Sequence, residues 1–358
     1  MELLFKPNEA LATRSREAVR SAIAKEVTAA GIVAGVISQD YQAWSIMDEP
    51  TLDERKDFCI QRARHAATAA HARILYDSAA SFATTAPRAI ANKSTLTGRL
   101  EIVSRRIGSN VDWRAEISTV FDTLSRIGEI KLTTGCSMHV HVSPSAGKTP
   151  CTPKQMHGIL KAIAYMDHAI TDIVPGSRKE NEWAASNFSP GKCDPSTGEL
   201  YNDVPQDTWE PLFREFEKIR MLVMISTKVL NDKFLSWNFK HLCSSCGTVE
   251  SRRPPGVGDA QRAIYRVAVT LGFIQQAICY DWGDVKCDQE HADVGFLGEF
   301  IVLGLSRLER TCQGIIEVMG TDASQSPPST WAEKAAIDVK KKEKLLKDGN
   351  FVAKASHN

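Results

Sequence analysis

Two histidines one residue apart, and a glutamate and an arginine one residue apart, are the side chains here best spaced for chemistry. His139 and His141 sit in the run Gly135-Cys136-Ser137-Met138-His139-Val140-His141-Val142, and Glu250 and Arg252 in Gly247-Thr248-Val249-Glu250-Ser251-Arg252. Both runs are strand-prone, and in a strand residues i and i+2 share a face. Each pair therefore points one way. If the two strands are neighbours, two imidazoles, a carboxylate and a guanidinium converge on one surface. That set can hold a divalent metal and the phosphates it carries. Taken singly, His-x-His is more often a polar sheet face than a metal site, and Glu-x-Arg is usually a solvated face or a cross-strand ion pair.

The elements that must position these groups follow from periodicity. Leu11, Val19, Ile23 and Val27 predict a helix over about 11–30, and Ile32 to Ile46 reads as strand and turn. An alanine-rich stretch over 54–85 predicts one or two helices; its His65 and His71 lie six apart, poor register for a shared metal. Leu100 to Ser104 is a short strand, 112–127 a helix, and the histidine strand follows, closed by Pro144 and Pro150. A helix over 153–173 carries His157 and His168 in packing or surface roles. The stretch 175–205, rich in Gly, Pro, Asn and Asp, reads as a functional loop containing Arg178, Asn181 and Asn187. Helix returns over 207–232. Residues 234–252 bring the Glu250 strand, with Trp237-Asn238-Phe239 on the way in, and Pro254-Pro255-Gly256 ends it. Helices over 258–281 and 293–319 follow, the second with Leu297, Ile301, Leu305, Leu308 and Ile315 on one face; the Lys-rich tail reads as solvated.

Composition narrows the function classes. The chain has 358 residues, 43% hydrophobic and 24% charged, and a net charge of +1 without a large charged block. That is an ordinary globular composition, with no footprint for nucleic acid or a charged membrane surface. The opening run to Pro7 is too short for a signal peptide, and no apolar stretch approaches a membrane span. Nine cysteines, an odd number without framework spacing, predict reduced thiols and a cytoplasmic location. Cys243 and Cys246 form a lone CxxC with neither a second pair nor a redox context, so these thiols read as structural. There is no internal repeat and no Gly-rich phosphate loop, so ATP, if bound, is not held by a P-loop.

The landmarks together resemble a known family. Ser137-Met138-His139-Val140-His141 is similar to the Gly-Met-His-Val-His strand of glutamine synthetases, and Thr248-Val249-Glu250-Ser251-Arg252 to their Glu-x-Arg strand. The closer resemblance is to the amidoligases, a divergent, largely fungal branch of the glutamine synthetase-like carboxylate–amine ligases. Its pattern of an opening acidic strand, Glu-Leu-Val-Ser, Cys-Gly-Leu-His-Val-His, Asn-Phe and Gly-Thr-Val-Glu-Phe-Arg is met in order by Glu2, Glu101 to Ser104, His139 and His141, Asn238-Phe239, and Glu250 and Arg252.

The resemblance implies an α+β fold: a glutamine synthetase-like catalytic domain over 1–320, with a largely antiparallel sheet that has one catalytic face and helices behind it. A helical insertion over about 54–90, a helical part over 258–320 and a polar tail over 321–358 complete the expectation. It implies ATP- and Mg²⁺- (or Mn²⁺-) dependent joining of a small carboxylate to an amine through an acyl phosphate, in specialised metabolism. Glu2, Glu101, His139 and Glu250 are then metal ligands, His141 and Asn238 hold nucleotide, Arg252 serves the phosphoryl group, and Arg178 the substrate carboxylate. Ser137 and Ser251 depart from the family's glycine and phenylalanine. The family's opening strand also carries two alternate glutamates. Glu2 aligns with the second, and the first would fall before Met1. A catalytically impaired relative that binds nucleotide or metabolite is therefore the alternative. A zinc hydrolase using His-x-His is the third reading, disfavoured because no later series of histidines and aspartate follows. The sequence names neither substrate and leaves homo-oligomerisation open.

Overall fold

The computed structural model describes residues 1–12, 14–36, 43–48, 98–108, 111–132, 136–144, 151–179, 184–188, 209–225, 235–243, 247–283, 285 and 291–308. The expected insertion over 54–90, the tail over 321–358, His65, His71, Asn181 and Cys246 fall outside those residues. Within them the chain mixes helix and strand in α+β fashion, in two compact units. One comprises Met1–Met138 with Pro255–Ile264; the other takes its described residues from His139–Pro254 and Tyr265–Asn358. No described helix is long and apolar enough to cross a membrane.

The first unit is built on strand β1 (Glu2–Pro7), flanked by β4 (Gly98–Val103) and β5 (Gly128–Lys131). Strands β3 (Trp44–Asp48) and β2 (Ala34–Gly35) extend the sheet in the order β2-β3-β4-β1-β5. Every pairing is antiparallel except β2 with β3. The register sets Phe5 opposite Ile130 and Ile46 opposite Ile102, and Phe5, Ile46 and Ile102 are buried in the core. After the short α1 (Glu9–Ala12) come α2 (Arg16–Ala29) and α3 (Trp113–Ile127), the latter two N-capped by the side chains of Ser15 and Asp112. Val19, Ile23 and Val27, and likewise Ile117, Val120, Phe121 and Leu124, give each helix one buried stripe.

Strand β5 is an element that hydrophobic periodicity does not reveal. Helix α3 turns directly into it at Gly128, where a Cβ would lie 2.3 Å from Phe5 Cζ and 2.6 Å from the Lys6 carbonyl oxygen. Only glycine lets the strand close against β1 at that point.

The second unit holds a sheet of β6 (Val140–Val142), β7 (Trp237–Asn238) and β8 (Val249–Ser251), antiparallel in the order β6-β8-β7. Helix α4 (Pro153–Asp172) is buried along most of its length and opens on a capping box between Thr152 and Gln155. It is followed by α5 (Gly176–Lys179), α6 (Glu210–Lys218) and α7 (Leu222–Met224), then α8 (Ala260–Cys279) and α9 (Val294–Ser306). The single helix expected over 207–232 is broken between α6 and α7. Ile219 is extended there, and its carbonyl oxygen accepts from His157 Nε2 at 2.8 Å instead of continuing the helix. Helices α8 and α9 cross in backbone contact: a Cβ on Gly304 would lie 1.8 Å from the Gly272 carbonyl oxygen.

Candidate active site

Strand register explains why three of the candidate residues meet. Across the second sheet His141 lies opposite Glu250, and Glu250 opposite Asn238, so one row of the same face reads His141–Glu250–Asn238. Glu250 is the hub and is buried, with 3% of its side chain exposed. Its Oε1 accepts from Arg252 Nη1 at 2.7 Å and lies 3.2 Å from His139 Nδ1 and 3.6 Å from His141 Nε2. Its Oε2 accepts from Asn238 Nδ2 at 2.6 Å. Asn238 is oriented in turn, because its Oδ1 accepts the Lys240 N–H at 2.9 Å.

A second layer holds this face in place. Arg178, expected on a loop and facing substrate, lies instead on α5, 3% exposed, and its guanidinium donates to the carbonyl oxygens of Arg253 (3.1 Å) and Arg252 (2.8 Å). It therefore braces the chain just beyond β8. Asn187 does the same for β7: its Nδ2 donates to the Trp237 carbonyl, and its Oδ1 accepts from the Trp237 N–H and the Ser236 hydroxyl. Arg253 faces away from Arg252, as alternation predicts, and makes a buried ion pair with Asp167 at 3.4 Å.

Sequence reasoning overlooked His241. Its ring lies 5.5 Å from that of His141, edge to face, and its carbonyl oxygen accepts the Thr248 N–H; Thr248 Oγ1 is 3.3 Å from His141 Nδ1. His241 sits in the turn at 240–243, where no alternation could place it. Only the closeness of Asn238-Phe239 in the chain was a signal.

The electrostatics disfavour the charged form of both imidazoles. Burial first, then the Arg252 guanidinium, push His139 down from 6.5 to about 2. Burial also lowers His141, with Glu250 opposing and His241 and Arg252 assisting. A titration consequence follows. Below pH 6.5 the unfolded chain binds a proton that the folded His139 refuses, so stability falls as pH drops from 6.5 towards 2. Between pH 7 and 5.5 this amounts to about 1 kcal/mol. Urea denaturation at both pH values should show His139→Gln losing that much less than the parent; equal losses would contradict the assignment.

Cysteine chemistry finds no support at Cys151, whose buried thiol is raised to about 11.

A family model described as "putative amidoligase enzyme" matches residues 7–274, well over half of the chain. The chain belongs to the amidoligase family. No curated protein and no solved structure matches it. As an amidoligase it is a ligase-type enzyme, and the matched span includes Glu101, His139, His141, Arg178, Asn238, Glu250 and Arg252, with Glu2 lying before it.

Among the described residues of this amidoligase, no group of three or more His, Cys, Asp or Glu is arranged to hold a metal ion. The reason lies at Glu250. Its Oε1, on which both imidazoles converge, already carries Arg252, and its Oε2 carries Asn238. The donor types suit a divalent cation, but their arrangement does not fit one. Glu2 and Glu101 belong to the first unit, where the register of β1 and β4 sets their backbones opposite each other.

Proposed function

We propose that this amidoligase uses ATP, supplied with Mg²⁺ or Mn²⁺, to join a small-molecule carboxylate to an amine on a glutamine synthetase-like catalytic fold. A substrate carboxylate oxygen attacks the γ-phosphorus and ADP leaves. The amine nitrogen then attacks the acyl-phosphate carbon, and inorganic phosphate departs as the nitrogen loses a proton. The observation carrying this reading is the convergence of Arg252, His139, His141 and Asn238 on one buried carboxylate in a chain of this family.

Phosphoryl transfer is chiefly positioning and charge neutralisation. Arg252 supplies a guanidinium fork for the transferring phosphoryl group, and Glu250 fixes its aim through the 2.7 Å bond. His141 is the imidazole that meets a nucleotide phosphate in this reading, supported by its side chain being 42% exposed. Asn238 and Arg178 act as positioning residues, one through Glu250 and the other through the carbonyls beyond β8.

A second reading, nucleotide or metabolite binding without turnover, is favoured by one observation: both oxygens of Glu250 are already engaged by protein donors. Calorimetric titration of MgATP, followed by assay of ADP release with a panel of carboxylates and amines, separates the two. Binding lost in Arg252→Ala and His141→Ala, with ADP formed only when both substrates are present, is the result expected for the ligase. Binding with no ADP under any pairing supports the second reading, and no MgATP binding overturns the ligase reading.

A further inference from the structure

The opposite face of the second sheet carries a feature that the proposed chemistry leaves unused. Alternation turns Trp237 and Ser251 away from Glu250, and there they line a pocket with the end of α4, α8 and α9. Ile173, Trp237, Phe273 and Leu297 form apolar walls, and Trp237 stacks on Phe273 with ring centroids 5.0 Å apart. Against these walls stand two guanidinium side chains, Arg253 and Arg266.

Arg253 is the informative one. Its side chain is 4% exposed, and among the described residues its acidic contact, Asp167 Oδ1, is a stretched 3.4 Å. Asp167 is shared, since its Oδ2 accepts from the Ser186 hydroxyl at 2.5 Å. Arg253 Nε is buried and has no hydrogen-bond partner among the described residues. A guanidinium cannot shed its proton, and a buried donor without an acceptor is destabilising, so the site favours an arriving acceptor. The unmet Arg253 donor calls for an anion, and the apolar walls call for a hydrocarbon body. The inner part of the pocket takes about three water volumes, which suits a body of a few carbon atoms.

We propose that this pocket binds a short aliphatic monocarboxylate of acetate to butyrate size, with its carboxylate on the Arg253 Nε–H and its chain against Trp237 and Phe273. The site stands apart from the catalytic face and does not depend on the ligase reading.

The test uses the full chain, titrated with sodium propionate and, separately, with propionamide, followed by Trp fluorescence and saturation-transfer NMR. Saturable propionate binding, with propionamide at least about tenfold weaker, is expected, because the amide keeps the shape and lacks the charge. Val269→Phe, which fills the pocket and leaves Arg253 in place, should weaken propionate at least about tenfold, as should the charge-balanced pair Arg253→Met with Asp167→Asn. Absence of saturable binding up to about 50 mM, equal binding of acid and amide, or unchanged binding in folded Val269→Phe would overturn the proposal. The acid–amide comparison needs no variant, so a failure of the double variant to fold leaves the proposal exposed to refutation. Immobilised water on Arg253 would give the first of those results.

Discussion

Glu250→Gln should abolish turnover and also lower stability by about 3 kcal/mol, although it changes one atom. Both carboxylate oxygens accept: Oε1 from Arg252 and Oε2 from Asn238. Glutamine offers one oxygen and one amide nitrogen, so one of those donors must face another donor inside a site where Asn238 is 2% exposed. Arg252 also loses the charge that aims it. The expected result is a fall in turnover of at least about a hundredfold, comparable to the loss of a preorganised electrostatic group elsewhere. The melting temperature should fall by roughly 5–10 °C.

A second substitution separates the two effects. Asn238→Asp added to Glu250→Gln restores an acceptor for the new amide and returns one carboxylate to the cluster, and that carboxylate can still accept the Lys240 N–H. Stability should recover by more than half. Turnover should stay low, because the charge has moved to the strand farther from Arg252. A coupling energy near zero in this double-mutant cycle would show that the Asn238–Glu250 bond contributes little to the fold.

Gly304→Ala should destabilise the second unit by about 2–4 kcal/mol, while Gly298→Ala, on the same helix, should stabilise it by roughly 0.5–1 kcal/mol. The two glycines have the same intrinsic helix preference, so the difference isolates tertiary contact. At Gly304 an added Cβ meets the Gly272 carbonyl oxygen at 1.8 Å, backbone that cannot rotate away; at Gly298 it meets nothing within 4 Å. Helix α8 would have to retreat from α9, and with it Phe273, which stacks on Trp237 of β7 behind the candidate active site. Chemical denaturation of both variants checks this. Destabilisation of the same size at both positions would mean that the close crossing of α8 and α9 is not formed.

Local signals carried further than pairing signals. The helix over 153–173 was readable to within a residue, because Pro153 opens it and apolar residues fill the rest; its Thr152–Gln155 capping box was not read. The helix at 112–127 was equally plain, with Asp112 as its cap. The break at Ile219 was not, since it depends on a side chain from another helix, His157, taking the carbonyl. Strand β5 was missed because it follows α3 without a turn and is defined by its pairing with β1. Among the site residues, the shared faces of His139 with His141 and of Glu250 with Arg252 followed from a period of two. The burial of Arg178 against two backbone carbonyls did not, because composition reads 175–205 as an exposed loop.

The sequence by itself determined which side chains could take part: the two close-spaced pairs, their likeness to the amidoligase pattern, and an α+β alternation of elements. These are properties of neighbouring residues, fixed by backbone periodicity and capping chemistry. Tertiary structure alone decided that His141, Glu250 and Asn238 form one row, that Arg252 takes an oxygen of Glu250, and that His241 joins His141. Those outcomes rest on strand register and on burial, which bring together residues more than a hundred positions apart and leave no periodic trace in the chain.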